Sequence, residues 1–208
     1  MKKLVLTWIA AVSLFCIACH HHTQTSTQSA DSTLQSDTTQ KTYFPIADVL
    51  ESEILEIDST PVAIKKIVIT GKRRDSAFIK PAEFNLLARK FLAPELRNGD
   101  FQKNFTETSF IDNSTQAATF TYSTTNRDLT LQRVDVIAMP QGSSHQIKSI
   151  YLETNRVSGD SSILEKMFWR TGKKFQIVSQ INVKGQPPVE RQMTVSWETG
   201  GDTDEDNE

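Results

Sequence analysis

An α+β fold is expected of this chain: a curved antiparallel β-meander, with a half-barrel as its most closed form, and two N-terminal helices packed on one face. Two observations carry that expectation. Residues 46–91 hold two apolar stripes at helical spacing on either side of a β-branched run. From residue 105 onward apolar and polar residues alternate with a period of two, in runs joined by short segments of turn-forming residues.

The first helix is expected over 46–57. Pro45 suits a first turn and Asp48 suits the positive helix N-terminus. Ile46, Val49, Leu50, Ile54 and Ile57 fall on one face. Asp58-Ser59-Thr60-Pro61 stops the helix, because Pro61 drives Thr60 toward extended geometry. The run VAIKKIVIT over 62–70 predicts a strand, GKRRD its turn, and 77–80 a short partner strand. A second helix starts at Pro81 with Glu83 in its first turn. Phe84, Leu87, Ala88 and Phe91 form its apolar stripe, and Pro94 ends it.

Strands follow at 105–111, 117–124, 129–139, 146–157, 163–170, 174–183 and 189–197. The joins TNRD, PQGSS, SGDSS, TGK and KGQPP are short, so neighbouring runs pair antiparallel. The segment 163–170 also fits a capped helix. Two strands change phase. Leu129 and Leu131 are out of step with Val134, Val136 and Ala138, and Ile147 is out of step with Ile150 and Leu152. A one-residue slip turns side chains to the other face, so each break predicts a β-bulge that bends the sheet.

The chain opens MKKLVLTWIAAVSLFCIAC. Lys2 and Lys3 precede an apolar run from Leu4 to Ala18 interrupted only by Thr7 and Ser13, the pattern of a signal peptide over residues 1–18. A spanning helix needs about 20 apolar residues, so the run is short for a permanent span. Cys16-Ile17-Ala18-Cys19 resembles the lipobox of bacterial lipoproteins, in which a small residue precedes the acylated cysteine. Cys16 stands where that family has Leu, Val or Ile. The resemblance implies cleavage before Cys19, a diacylglycerol thioether on its sulfur and a palmitate-type chain on its nitrogen. At about 0.8 kcal/mol per buried CH₂, several chains make a stable anchor. The chain has two cysteines, so cleavage and acylation leave the mature domain without a disulfide or thiolate site. The absence of Asp after Cys19 implies, by the same resemblance, the outer membrane, facing the periplasm. In layout the chain resembles the small envelope lipoproteins of Gram-negative bacteria to which no activity is assigned.

Residues 19–42 are rich in Ser, Thr and Gln, with Leu34 the only large apolar side chain. Such a segment cannot bury enough surface to offset its ordering entropy, and it is expected to be a disordered tether. His20, His21 and His22 read as a polar spacer. The motif Asp-Ser/Thr followed by Thr or a small residue resembles an O-glycosylation site of Gram-negative envelope proteins, and makes Ser32 and Thr38 candidate acceptors. Residues 198–208 read as a solvated acidic tail, leaving one folded domain over 43–197. Of 23 basic and 25 acidic residues, loss of Lys2 and Lys3 leaves 21 basic ones. Setting aside the six acids from Glu198 onward leaves 19 acidic ones, so the folded part is near neutral. That balance argues against nucleic acid as a partner.

The chemistry-bearing residues are sparse. His145 closes the expected turn PQGSSH without an orienting acid in sequence, and no GxGxxG, P-loop or HExxH is present. No metal site or cofactor is expected. Lys65, Lys66, Lys72, Arg73 and Arg74 form a basic cluster on the first hairpin, a candidate contact for an anionic surface. The expected function is that of a lipid-anchored, non-enzymatic envelope protein. It attaches to the membrane through Cys19, binds an envelope protein or polymer, and has a monomeric domain. One alternative is a carrier holding a lipid or other apolar ligand in a half-barrel cavity. The least supported is a hydrolase with a paired-carboxylate site.

Overall fold

The computed structural model describes residues 43–197 apart from 98, 100, 142 and 143. The expectations for 1–42 (signal peptide, Cys19, the histidines, Ser32 and Thr38) and for the tail 198–208 lie outside the described residues.

Helix α1 spans Ile46–Ser59 and buries Ile46, Ala47, Leu50, Ile54 and Ile57. It ends where Thr60 becomes extended, as a residue before proline must. Strands β1 (Ile64–Thr70) and β2 (Arg73–Ile79) form a hairpin whose register pairs Thr70 with Arg73. Only Gly71 and Lys72 remain for the turn, and Gly71 takes the positive φ that such a tight turn requires. Arg73, Arg74 and Asp75 therefore belong to the strand rather than to a five-residue turn.

Helix α2 (Pro81–Ala88) has proline in its first turn and buries Phe84 and Ala88. Two 3-10 turns follow at Arg89–Phe91 and Pro94–Leu96, and then a single-turn helix α3 at Phe101–Asn104. Phe91 therefore sits just past the α-helix, yet is fully buried. The remaining strands are β3 (Thr106–Ile111), β4 (Ala118–Ser123), β5 (Leu131–Gln141), β6 (Ser144–Ser158), β7 (Ser161–Arg170), β8 (Lys174–Val183) and β9 (Val189–Trp197). The segment 163–170 is thus strand, the outcome its period-two burial favours.

These form one open, antiparallel, nine-stranded sheet in the order β2-β1-β9-β8-β7-β6-β5-β4-β3. Strands β3 to β9 are a plain meander. The first hairpin joins at the other end, with Ile64 of β1 opposite Trp197 of β9. The β5–β6 register shifts between Leu131 and Arg133 and again between Ile137 and Ala138. These are the two places where the sequence changes phase. At the second shift Ile137 faces Ser149 and Ala138 faces Ile147, so Lys148 is the extra residue of a bulge.

One face of the sheet carries the core. Val195, Phe175, Trp169, Ile150 and Val136 lie along it, buried and in successive register, and the buried pair Ile64 and Trp197 shares that face. Phe84 meets Trp197 at 5.2 Å and Phe175 at 5.8 Å between ring centroids. Phe91 meets Trp169 at 5.1 Å and Phe175 at 5.3 Å. Trp169 stacks on Phe175 at 5.3 Å and donates its indole N–H to Glu53 Oε2 of α1 at 2.6 Å. A second aromatic group joins Tyr43, Phe101, Phe105 and Tyr122 beside β4. Glu95 Oε1 accepts the backbone N–H groups of Thr130 and Leu131, each at 3.1 Å, where β5 begins.

Because Phe84 and Phe91 are both fully buried, replacing either with alanine should cost about 3–5 kcal/mol, the usual scale for deleting a core aromatic ring. The urea midpoint should fall accordingly. An unchanged midpoint for both variants would show that the rings contribute no packing.

Candidate functional site

Because strand side chains alternate, the residues between the core positions project from the opposite face of the sheet. This open face is half-buried to exposed over most of its area. At its centre Phe168 of β7 lies opposite Tyr151 of β6. Gln176 and Thr194 continue the row on one side, and Asp135 and Thr121 on the other. Arg133 Nε donates to both oxygens of Asp135, at 3.0 and 3.1 Å. The Tyr151 hydroxyl donates to Glu153 at 3.1 Å. Burial, helped by the Glu153 charge, pushes the Tyr151 phenol up to about 12, so it stays protonated at neutral pH. These groups offer ring stacking, hydrogen bonding and charge.

The structure divides the basic cluster of the first hairpin between the two faces. Lys66 lies on the core face and is ion-paired with Glu83 of α2. Arg73 shares that face and pairs with Asp75 at 2.9 Å. Lys72 sits in the turn, while Lys65 and Arg74 reach the open face.

Lys65 joins cations far from it in sequence. The registers place Lys65, Ser196, Lys174, Arg170 and Ser149 side by side across β1, β9, β8, β7 and β6. Lys148, the bulge residue, is exposed beside them, and its carbonyl accepts the Thr171 N–H at 3.1 Å. Sequence reasoning missed this row, because its members lie on four strands and only register aligns them. Strongly exposed Phe78 and Phe110 occupy the same face on the edge strands β2 and β3.

Two other features stand apart. A cleft of about 540 Å³ between α1 and the 3-10 turns is lined by Glu51, Ile54, Leu55, Arg89, Leu92 and Arg97, and Arg97 is ion-paired with Glu51. On the core face, Glu165 is 4% exposed. It accepts from Lys90 at 3.0 Å, Arg156 at 2.7 Å and Ser179 at 3.1 Å. Burial alone would raise its carboxyl, but the Lys90, Ser179 and Arg156 contacts outweigh that and hold it below its ordinary value. It braces the 3-10 turn after α2 against β6, β7 and β8.

His145 lies in β6 opposite Pro140. Cys19, Ser32 and Thr38 lie outside the described residues. Among the described residues no group of His, Cys, Asp and Glu is arranged to hold a metal ion. No helix of the described residues is long and apolar enough to cross a membrane. No family model, no curated protein and no solved structure matches this chain.

The Glu165 geometry sets a pH dependence. A carboxyl whose folded pKa lies below its ordinary 4.5 contributes stability above that value and loses it as pH falls through the folded pKa. Glu165→Gln should therefore be less stable than the natural chain at neutral pH, and the gap should narrow below about pH 4. Urea midpoints across that range test this; a gap that widens on acidification would contradict it.

Proposed function

We propose that this chain is a lipid-anchored, non-enzymatic protein of the cell envelope, whose domain binds an envelope protein or polymer through the open face of its sheet. One observation carries the reading. The nine-stranded sheet commits one face to the core and leaves a broad second face bearing aromatic, amide, hydroxyl and basic side chains. Such a rigid, chemically mixed surface suits adhesion, while the perturbed carboxyl, Glu165, is already occupied by three partners.

In this reading both helices cover one face, and the sheet curls around them toward a half-barrel. Helical and strand residues share one buried cluster, and two bulges in the long β5–β6 pair supply bends; both support that shape. The lipobox supports attachment through Cys19 at the outer membrane, facing the periplasm. The tether then supplies reach, with Ser32 and Thr38 as modification sites. Lys65 and Arg74 are the hairpin cations suited to an anionic partner, since Lys66 and Arg73 already have acidic ones.

A carrier of an apolar ligand is the competing reading. Phe84, Phe91, Trp169, Phe175 and Trp197 crowd the space between sheet and helices where such a ligand would sit, which weighs against it. The half-apolar cleft beside α1 is the feature in its favour.

Two measurements test the proposal. Cys19→Ser should leave an unlipidated precursor or soluble product; a cleaved Cys19→Ser chain that still partitions into membranes would remove the lipoprotein reading. Native mass spectrometry of the purified protein should return the chain and its anchor alone. A retained lipid mass, present also in Cys19→Ser, would favour the carrier.

A further inference from the structure

Among the described residues the sheet has two free edges, and they are built differently. Strand β2 exposes Arg73, Arg74 and Asp75 in succession. Strand β3 reads TETSFI, without lysine, arginine or proline. Its register with β4 is unbroken, so no bulge interrupts it. Its single charge, Glu107, stands opposite buried Tyr122 on the core face. Phe110 is 68% exposed and Ile111 59%. The devices that ordinarily shield an edge strand are thus present on β2 and nearly absent from β3.

Hydrogen-bond alternation fixes which backbone groups β3 leaves free. The Asp112 N–H bonds the Ala117 carbonyl at 2.9 Å, and these two residues continue the β3–β4 register. Thr106, Thr108 and Phe110 therefore turn their backbone groups toward β4, and Glu107, Ser109 and Ile111 turn theirs outward. Phe105 fits the same alternation, since its N–H bonds the Phe101 carbonyl and not β4.

We propose that β3 pairs antiparallel with β3 of a second copy of this chain, about a two-fold axis at Ser109. In that register Ser109 stands opposite Ser109 of the second copy, and Glu107 opposite its Ile111. Every outward N–H and carbonyl of these three residues then has a partner. Centring the axis on Thr108 would set Ile111 against Phe105, whose N–H is already bonded. Centring it on Phe110 would set Glu107 against Asn113, beyond the strand. Side chains agree with the Ser109 register. Phe110 comes opposite Thr108 of the second copy, and the two Phe110 rings become diagonal neighbours about 7–8 Å apart, within reach of each other. The two Glu107 carboxylates stand toward opposite ends of the junction, so no like charges meet.

Opposite residues in a ladder share a face, so the axis is normal to the sheet and both open faces point the same way. The domain expected from sequence to be monomeric becomes half of a continuous sheet with two copies of Tyr151 and Phe168 on one side. A partner with repeated units then engages both copies at once, which strengthens attachment without new contacts. That consequence rests on the open face being the binding surface. The pairing itself does not, and the experiment reads the pairing alone.

Cysteine cross-linking reads the register. In the full-length Cys16→Ser, Cys19→Ser chain in mild detergent, adding Ser109→Cys should give a disulfide-linked dimer on gentle oxidation, because hydrogen-bonded pairs hold their Cα atoms about 5.5 Å apart, within disulfide reach. Glu107→Cys and Ile111→Cys should link severalfold better when mixed than either alone. Ser76→Cys, exposed on the β2 edge, should stay near background. Independently, sedimentation velocity should show mass rising toward a dimer with concentration. Ser109→Pro removes an outward N–H at a position where an edge strand tolerates proline, and Phe110→Lys sets two cations side by side. Each should move the dimer midpoint about tenfold or more to higher concentration, with the urea midpoint of the dilute chain unchanged. Should Ser109→Pro fail to fold, Phe110→Lys decides. A monomer at every concentration, a dimer that folded variants leave untouched, or linking by Ser76→Cys equal to that by Ser109→Cys overturns the proposal.

Discussion

The meeting of Phe84 and Phe91 with Trp169, Phe175 and Trp197 is the contact on which the rest of the molecule depends. These rings come from the α2 region and from three strands. Edge-on and stacked pairs of this kind add about 0.5–1.5 kcal/mol each beyond their burial. Their larger effect is directional. They turn the alternate side chains of β7, β8 and β9 inward, so the intervening residues must face out. The Trp169–Glu53 hydrogen bond ties α1 to the same cluster. The open face therefore exists because the other face is filled.

Charge follows the same division. Lys65 and Lys66 are neighbours in sequence and opposites in space. One stands on the open face; the other is half-buried against Glu83. An open face with an excess of cations stays solvated and also invites an anionic partner. Glu165 shows the contrasting use of charge: a nearly inaccessible carboxylate is tolerated because two cations and a hydroxyl satisfy it. The free edges β2 and β3 lack strand partners on one side. On β2, Arg73, Arg74 and Asp75 are exposed, and charge on an edge strand discourages pairing with other chains.

Much of this was legible because it is local. The stripe of Phe84, Leu87, Ala88 and Phe91 reads as one face of a turn-by-turn structure, and the phase breaks near Leu131 and Ile147 coincide with the register shifts of β5 and β6. The length of β2 was less legible. RRDSAFI is polar and edge-exposed, so it lacks the alternation by which a half-buried strand announces itself. The 3-10 turns and α3 were not foreseen, since Pro94 marks where regular helix stops and says little about what short geometry replaces it.

By itself the sequence determined the period of most segments, and with it the two main helices, most strands, their inward-facing residues and the places of the bulges. The expectations for the two ends, a lipobox-type leader with a tether and an acidic tail, lie outside the described residues. Tertiary structure decided which strands are neighbours. Nothing local in IKKIVIT says that β1 will lie between β2 and β9, because hydrogen bonding to a strand more than a hundred residues away depends on the whole sheet closing over one core. That pairing alone brings Lys65 into line with Lys174 and Arg170 and sets the end of β9 between them. Side-chain alternation is a property of one strand, whereas a row across strands is a property of register, and register is fixed only when all the strands bury their apolar faces together.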